Sequence, residues 1–249
     1  MNKLMLFIHK TGSPPWFYQF SGRLLPWLWA LFVVLAGYGL YLGLLVAPPD
    51  YLQGESARIM YIHVPSAYMS MLIYALMVIM GFIGLVWHVR IAEIMSISSA
   101  PVGAFFTVLA LATGSLWGRP TWGTYWVWDA RLTSELVLLF LYIGVIALYS
   151  SYDEPRKAAR AAALLALVGL VNLPIIHFSV QWWNTLHQPP SLSASGSSIH
   201  PSMLWPLLTM VLAWKVFYIA NLLTRSRVRL LEQDQRKRWV LDAVAGEKN

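Results

Sequence analysis

Two histidines and one aromatic segment hold most of the chemistry this chain can offer. His63 lies in Tyr61-Ile62-His63-Val64-Pro65, and His187 lies in Trp182-Trp183-Asn184-Thr185-Leu186-His187-Gln188. Between them in sequence runs Trp117-Gly118-Arg119-Pro120-Thr121-Trp122-Gly123-Thr124-Tyr125-Trp126-Val127-Trp128-Asp129. Those thirteen residues hold four Trp and one Tyr, together with two Gly, a Pro, an Arg and an Asp, so the segment does not read as a membrane span. Trp and Tyr gather at membrane interfaces in general. An ordinary belt accounts for two of these rings but hardly for five in one short stretch. A dense aromatic surface at a boundary suits a large, flat, apolar ligand, and imidazole is a common axial ligand of haem iron. Arg58, Arg119 and Arg131 are the cations available to meet acidic groups on such a ligand. Each residue also has an ordinary reading. A histidine near a helix end commonly bonds a carbonyl or faces water. Asp129 is suited to cap a helix or to pair with Arg131, and the arginines are suited to lipid headgroups.

These residues work together only if the elements between them bring them to one face. Hydrophobic residues make up 58% of the 249 and charged residues 12%, about half the charged share of soluble domains. Six apolar runs are each long enough to cross a bilayer as a helix: Leu24–Ala47, Ser66–Trp87, Ser96–Leu116, Leu132–Ser150, Ala158–Val180 and Met203–Leu223. Backbone in hydrocarbon must satisfy its own hydrogen bonds, so the runs are expected to be helices. The short alternating segments of a barrel are missing. The expected fold is all-α, one polytopic domain of six transmembrane helices over residues 1–249. Glu135 makes the start of the fourth run the least defined. Pro174 is expected to kink the fifth.

Charge orients the bundle. Lys3, Lys10, Arg23, Arg90, Arg156, Lys157, Arg160 and seven basic residues of the tail at 224–249 fall on one set of connections, fourteen in all. The alternate set carries Arg58, Arg119 and Arg131 alone. The positive-inside rule then puts both termini in the cytoplasm and the three outer loops opposite. His63, the Trp-rich loop at 117–134 and His187 share that outer face, as a bis-His haem site requires. The net charge of +7 is a topology signal first, and nucleic-acid binding is not expected. The tail run Arg225–Arg229 is expected to meet anionic headgroups. His9 and His88 fall on the wrong side. His177 lies inside the fifth run, and His200 follows a Ser-rich stretch. No cleaved signal peptide is expected, because the first run starts late and is long. The chain has no Cys, hence neither disulfides nor a Cys-x-x-Cys-His site for covalent haem. It has no P-loop and no dinucleotide fingerprint, and no acid–base or nucleophile constellation points to an enzyme.

Three rival classes remain open on the residues. A channel for polar solutes needs mid-membrane polar residues, and this chain offers few beyond Glu135 and Lys215. An electron-transfer cytochrome b places paired His within helices, whereas His63 and His187 lie outside the apolar runs. A structural subunit would use the Trp cluster only as a protein interface.

The pattern Trp117-Gly118-x-Pro120-x-Trp122-Gly123-x-x-Trp126-x-Trp128-Asp129 resembles the WWD motif of the haem-handling proteins of cytochrome c maturation. The flanking Tyr61–Pro65, Asp129-Ala130-Arg131-Leu132-Thr133-Ser134-Glu135-Leu136, Asn172–His177 and Trp182–Gln188 are most similar to the CcmC branch, and the likeness runs from about Pro15 to Leu223. The resemblance implies that His63 and His187 are axial ligands of a non-covalent haem b. It implies that the Trp-rich loop, with Trp117, Trp122, Trp126, Trp128 and Asp129, presents the haem edge to a chaperone. It also implies delivery of haem to the chaperone CcmE at the periplasmic face of the inner membrane. The expected partners are CcmA, CcmB and CcmD, with ATP hydrolysis on a partner subunit.

Overall fold

In a computed structural model, residues 13–188, 191–193 and 196–246 are described. Eight helices and one small ribbon follow in order: α1 (Pro14–Tyr41), α2 (Met60–Trp87), α3 (Arg90–Trp122), α4 (Ala130–Ser150), α5 (Pro155–Gly169), α6 (Asn172–Trp182), β1 (Leu192–Ser193), β2 (Gly196–Ser197), α7 (Pro201–Gln233) and α8 (Arg238–Gly246). A π turn, Leu42–Val46, extends α1, and a 3-10 turn, Glu55–Ile59, leads into α2. Six helical stretches are long and apolar enough to cross a membrane. The strands are two residues each and pair antiparallel, a surface hairpin rather than a sheet.

The helices run further than the apolar runs do. Pro at the first turn starts α1, α5 and α7, where a missing N–H costs nothing. Asp129 starts α4 by accepting the Leu132 N–H at 2.8 Å, the capping role open to it in sequence. Gly123, at φ 79°, stops α3 with its N–H on the Arg119 carbonyl. The fifth run is not one helix. The Pro174 ring clashes with the carbonyl four residues back, at Leu170, and the chain breaks there between α5 and α6. The Leu173 N–H takes the Leu170 carbonyl at 3.1 Å in a tighter turn. Thus the expected kink lies a turn before the proline.

The packed centre lies between α2 and α3, with α4, α5 and α7 around it. Met69, Ile73, Tyr74, Met77, Phe106, Leu138 and Tyr142 are fully buried. Several of its polar groups are matched, as burial favours, while Ser98 Oγ and Trp214 Nε1 are buried without a hydrogen-bond partner. Tyr74 donates to the Ala166 carbonyl at 3.1 Å, Tyr142 to the Ser70 carbonyl at 2.7 Å, and Asn172 to the Ser134 carbonyl at 2.9 Å. Peripheral α1 packs chiefly on α7, and Arg227 reaches back to the Tyr18 carbonyl with its guanidinium over the Tyr18 ring.

The start of α3 is tied to the end of α7. Asp234 is almost wholly buried and pairs with Arg90 at 2.5 Å and Lys237 at 2.9 Å, while Trp239 donates to it at 3.1 Å. The 224–249 stretch is therefore not a free basic tail over its described part. It is helical to Gln233, and α8 follows at Arg238. Lys3, Lys10, His9 and Lys248 lie outside the described residues.

Candidate functional site

Three connections share one end of the bundle: residues 47–59, residues 123–129 and the stretch after α6. His63 does not sit in the first of them. It is the fourth residue of α2, because the helix begins before the apolar run does. Its Nδ1 lies 3.0 Å from the Ala110 carbonyl and 3.1 Å from the Thr113 hydroxyl, both on α3. A protonated Nδ1 satisfies the carbonyl and leaves Nε2 with a free lone pair, the arrangement that orients a ligand imidazole. Gly114 makes this possible, since a Cβ there would stand 2.8 Å from the His63 Cε1.

His187 does come from a loop. Its ring centroid is 6.5 Å from that of His63. Two imidazoles on opposite sides of one first-row metal, each nitrogen about 2.0 Å from it, hold their ring centres roughly 6 to 6.5 Å apart. Burial first, and then the charge of Arg131, push His187 down to about 4 against an opposing pull from Asp129. The ring is thus neutral near pH 7 and able to donate a lone pair. Its Nδ1 is buried and has no hydrogen-bond partner. Among the described residues, no group of three or more His, Cys, Asp or Glu stands together.

A small cavity opens between the two rings, walled by Ala67, Ala110, Gly114, Arg131 and Glu135. Small residues on α2 and α3 make the space. Of the three arginines, only Arg131 lines it, held by a 2.9 Å bond to the Ile176 carbonyl of α6. Arg58 is engaged elsewhere: it donates to the Gly43 and Ala47 carbonyls at 2.9 and 2.8 Å and pairs with Glu55. Arg119 closes the end of α3 on the Gly123 carbonyl and stacks near Tyr125. Glu135, which in the sequence blurs the start of the fourth run, is buried at the cavity wall and accepts from Ser70 at 2.7 Å.

The Trp-rich segment divides in two. Trp117 and Trp122 belong to the last turns of α3, so only residues 123–129 are loop. Trp117 stands edge-on to His63 at 5.7 Å and donates to the Gln53 side chain at 2.7 Å. Trp122 leans on His187 at 5.0 Å. Trp126 and Trp128 pair with each other at 5.4 Å, and among the described residues neither makes a ring contact with a histidine. Trp128 is 76% exposed. Asp129 joins this segment to the histidine loop, because the Thr185 hydroxyl donates to its second carboxylate oxygen. That same hydroxyl accepts the His187 N–H at 3.1 Å. His177 is exposed on α6 against Phe178. His200 caps α7 by accepting from Ser202. Thr113, Gly114 and Thr185 carried no signal in the sequence, since a lone Thr or Gly in an apolar context reads as helix filler.

A family described as "Heme exporter protein C" (CcmC) matches residues 7–241. The chain is 49% identical over 237 residues to the Heme exporter protein C of Escherichia coli K12, covering 95% of this chain and 96% of that one. It is 49% identical over 243 residues to that of Bradyrhizobium diazoefficiens, covering 94% and 92%. It is 47% identical over 234 residues to that of Haemophilus influenzae, covering 94% and 95%.

Proposed function

Because this chain belongs to the haem exporter protein C (CcmC) family, we propose that it binds haem b at the outer face of the bacterial cytoplasmic membrane and presents it to the chaperone CcmE during c-type cytochrome biogenesis. Its place is in an ABC-transporter-type complex with CcmA, CcmB and CcmD. ATP hydrolysis falls to a partner subunit, and this chain is a binding and transfer component rather than an enzyme.

One observation carries the reading: two imidazoles line one cavity with their ring centres 6.5 Å apart. Bound haem supplies an iron with two axial positions to fill. His63, through the Nε2 that its helix contacts leave free, and His187 would hold that iron. Trp117 packs edge-on against His63 and Trp122 tilts against His187, apolar surface beside each ring. Arg131 supplies a positive charge at the cavity wall for a carboxylate. Trp128, with Trp126 behind it, offers the exposed apolar surface that a partner needs to approach the site.

The test is the haem content and Soret spectrum of the purified His63→Ala and His187→Ala variants. Each is expected to lose the six-coordinate spectrum and most of its haem. If both keep the wild-type content and spectrum, the chain is better read as a structural subunit whose aromatic face serves only protein contact.

A further inference from the structure

The two histidines are held in different ways. His63 is carried by a helix and gripped through Nδ1 by Ala110 and Thr113. His187 has no such grip on its ring, for its Nδ1 is without a partner. What fixes its position is its backbone. The His187 N–H bonds to the Thr185 hydroxyl at 3.1 Å, and that hydroxyl donates to Asp129. Asp129 is itself immobile, since its other oxygen caps α4 through Leu132. A relay of two hydrogen bonds thus runs from the rigid start of α4, through one hydroxyl, to the backbone of the histidine loop. The hydroxyl is both donor and acceptor, so neither bond persists without it.

We propose that the Asp129–Thr185 pair is a latch that positions His187 for ligation, which makes His187 the exchangeable axial ligand and His63 the fixed one. The proposal rests on the bis-His reading above. Asp129 lies at the end of the Trp-rich segment, one residue past exposed Trp128. A partner that engages this segment therefore acts on the same residue that holds His187. With the latch open, His187 would release the iron, and a nitrogen donor from a partner would take its place. The iron's oxidation state does not change. Thr185 and Asp129 are positioning residues, and neither needs to touch the ligand.

The experiment uses full-length protein loaded with ferric haem. Wild type is expected to be low-spin and six-coordinate. Thr185→Val, which keeps the shape and removes the hydroxyl, is expected to gain a five-coordinate, high-spin fraction. Added imidazole restores the low-spin band, because His63 is still in place. Thr185→Ser, which keeps the hydroxyl, is expected to match wild type. Thr185→Ala repeats the Val result with a smaller side chain, so that a packing fault peculiar to valine does not decide the answer. If Thr185→Val and Thr185→Ala stay fully low-spin while His187→Ala does not, the latch is wrong and the bis-His reading stands. If His187→Ala is also unchanged, the bis-His reading fails and the latch fails with it.

Discussion

At the scale of single residues, the site depends on close approach as much as on ligating atoms. Gly114 lies against the His63 ring, and any Cβ there meets it at 2.8 Å. The ring cannot simply turn away, since Ala110 and Thr113 hold its other side. Gly114→Ala is therefore expected to weaken haem binding roughly tenfold, in line with the cost of overpacking, about 1–3 kcal/mol. Gly37→Ala, where a Cβ meets nothing within 4 Å, should bind haem as wild type does. Titration of both variants with haem checks this, and equal affinities would refute the positioning role of Gly114. The two histidines stood out in the sequence because their neighbours are unusual. Gly114, Thr113 and Thr185 were not, because their roles arise from contacts between elements distant in sequence. The same is true of the arginines. All three looked equivalent by position, and only the folded chain separates Arg131, at the cavity, from Arg58 and Arg119, which close turns.

At the scale of elements, apolar runs gave the number of spans and understated their ends. A helix continues into the interface as long as its backbone groups find partners, and hydropathy does not register that. This is why His63 and Trp117 turn out to be helical. The break between α5 and α6 had a sequence cause in Pro174, but its position follows from the clash four residues earlier. Within α6 the Ile176 carbonyl accepts from Arg131. The Asp234 anchor was invisible, since it joins residues 144 positions apart. Burial would raise the Asp234 carboxyl, but hydrogen bonds from Arg90 and Lys237 overcome it and hold the group at about 2. A carboxyl depressed by folding stabilises the fold above its unfolded value near 4 and loses that contribution as pH falls toward 2. At pH 7 the shift is worth on the order of 2 kcal/mol. Asp234→Asn is expected to lower the melting temperature by roughly 4–8 °C at pH 7, with the gap to wild type narrowing by pH 3. A gap that does not change with pH would show that the carboxylate's charge is not what anchors the two helices.

At the scale of the whole molecule, six spans put residues 47–59, 123–129 and the His187 stretch at one end, and the connections after α2 and α4 at the other. The basic residues favour that second end by fourteen to three in the sequence, and the outward placement of the histidine site rests on this bias. The chain has no native Cys, so single introduced cysteines report sidedness without interference. Tyr51→Cys, at a position 90% exposed, is expected to react with a membrane-impermeant maleimide on intact spheroplasts. Ser151→Cys should react only after the membrane is opened, and the reverse pattern would invert the topology. The arrangement of α1 has a further consequence, for synthesis rather than for binding. The first helix made has the last long one as its chief partner, and its apolar window is only 17% buried. Roughly 160 residues separate the end of α1 from the start of α7. At about 5–20 residues per second, the ribosome needs on the order of ten to thirty seconds to cover them. Through that interval α1 stands in lipid as a lone arm while the later helices assemble, and the arrival of α7 closes the bundle.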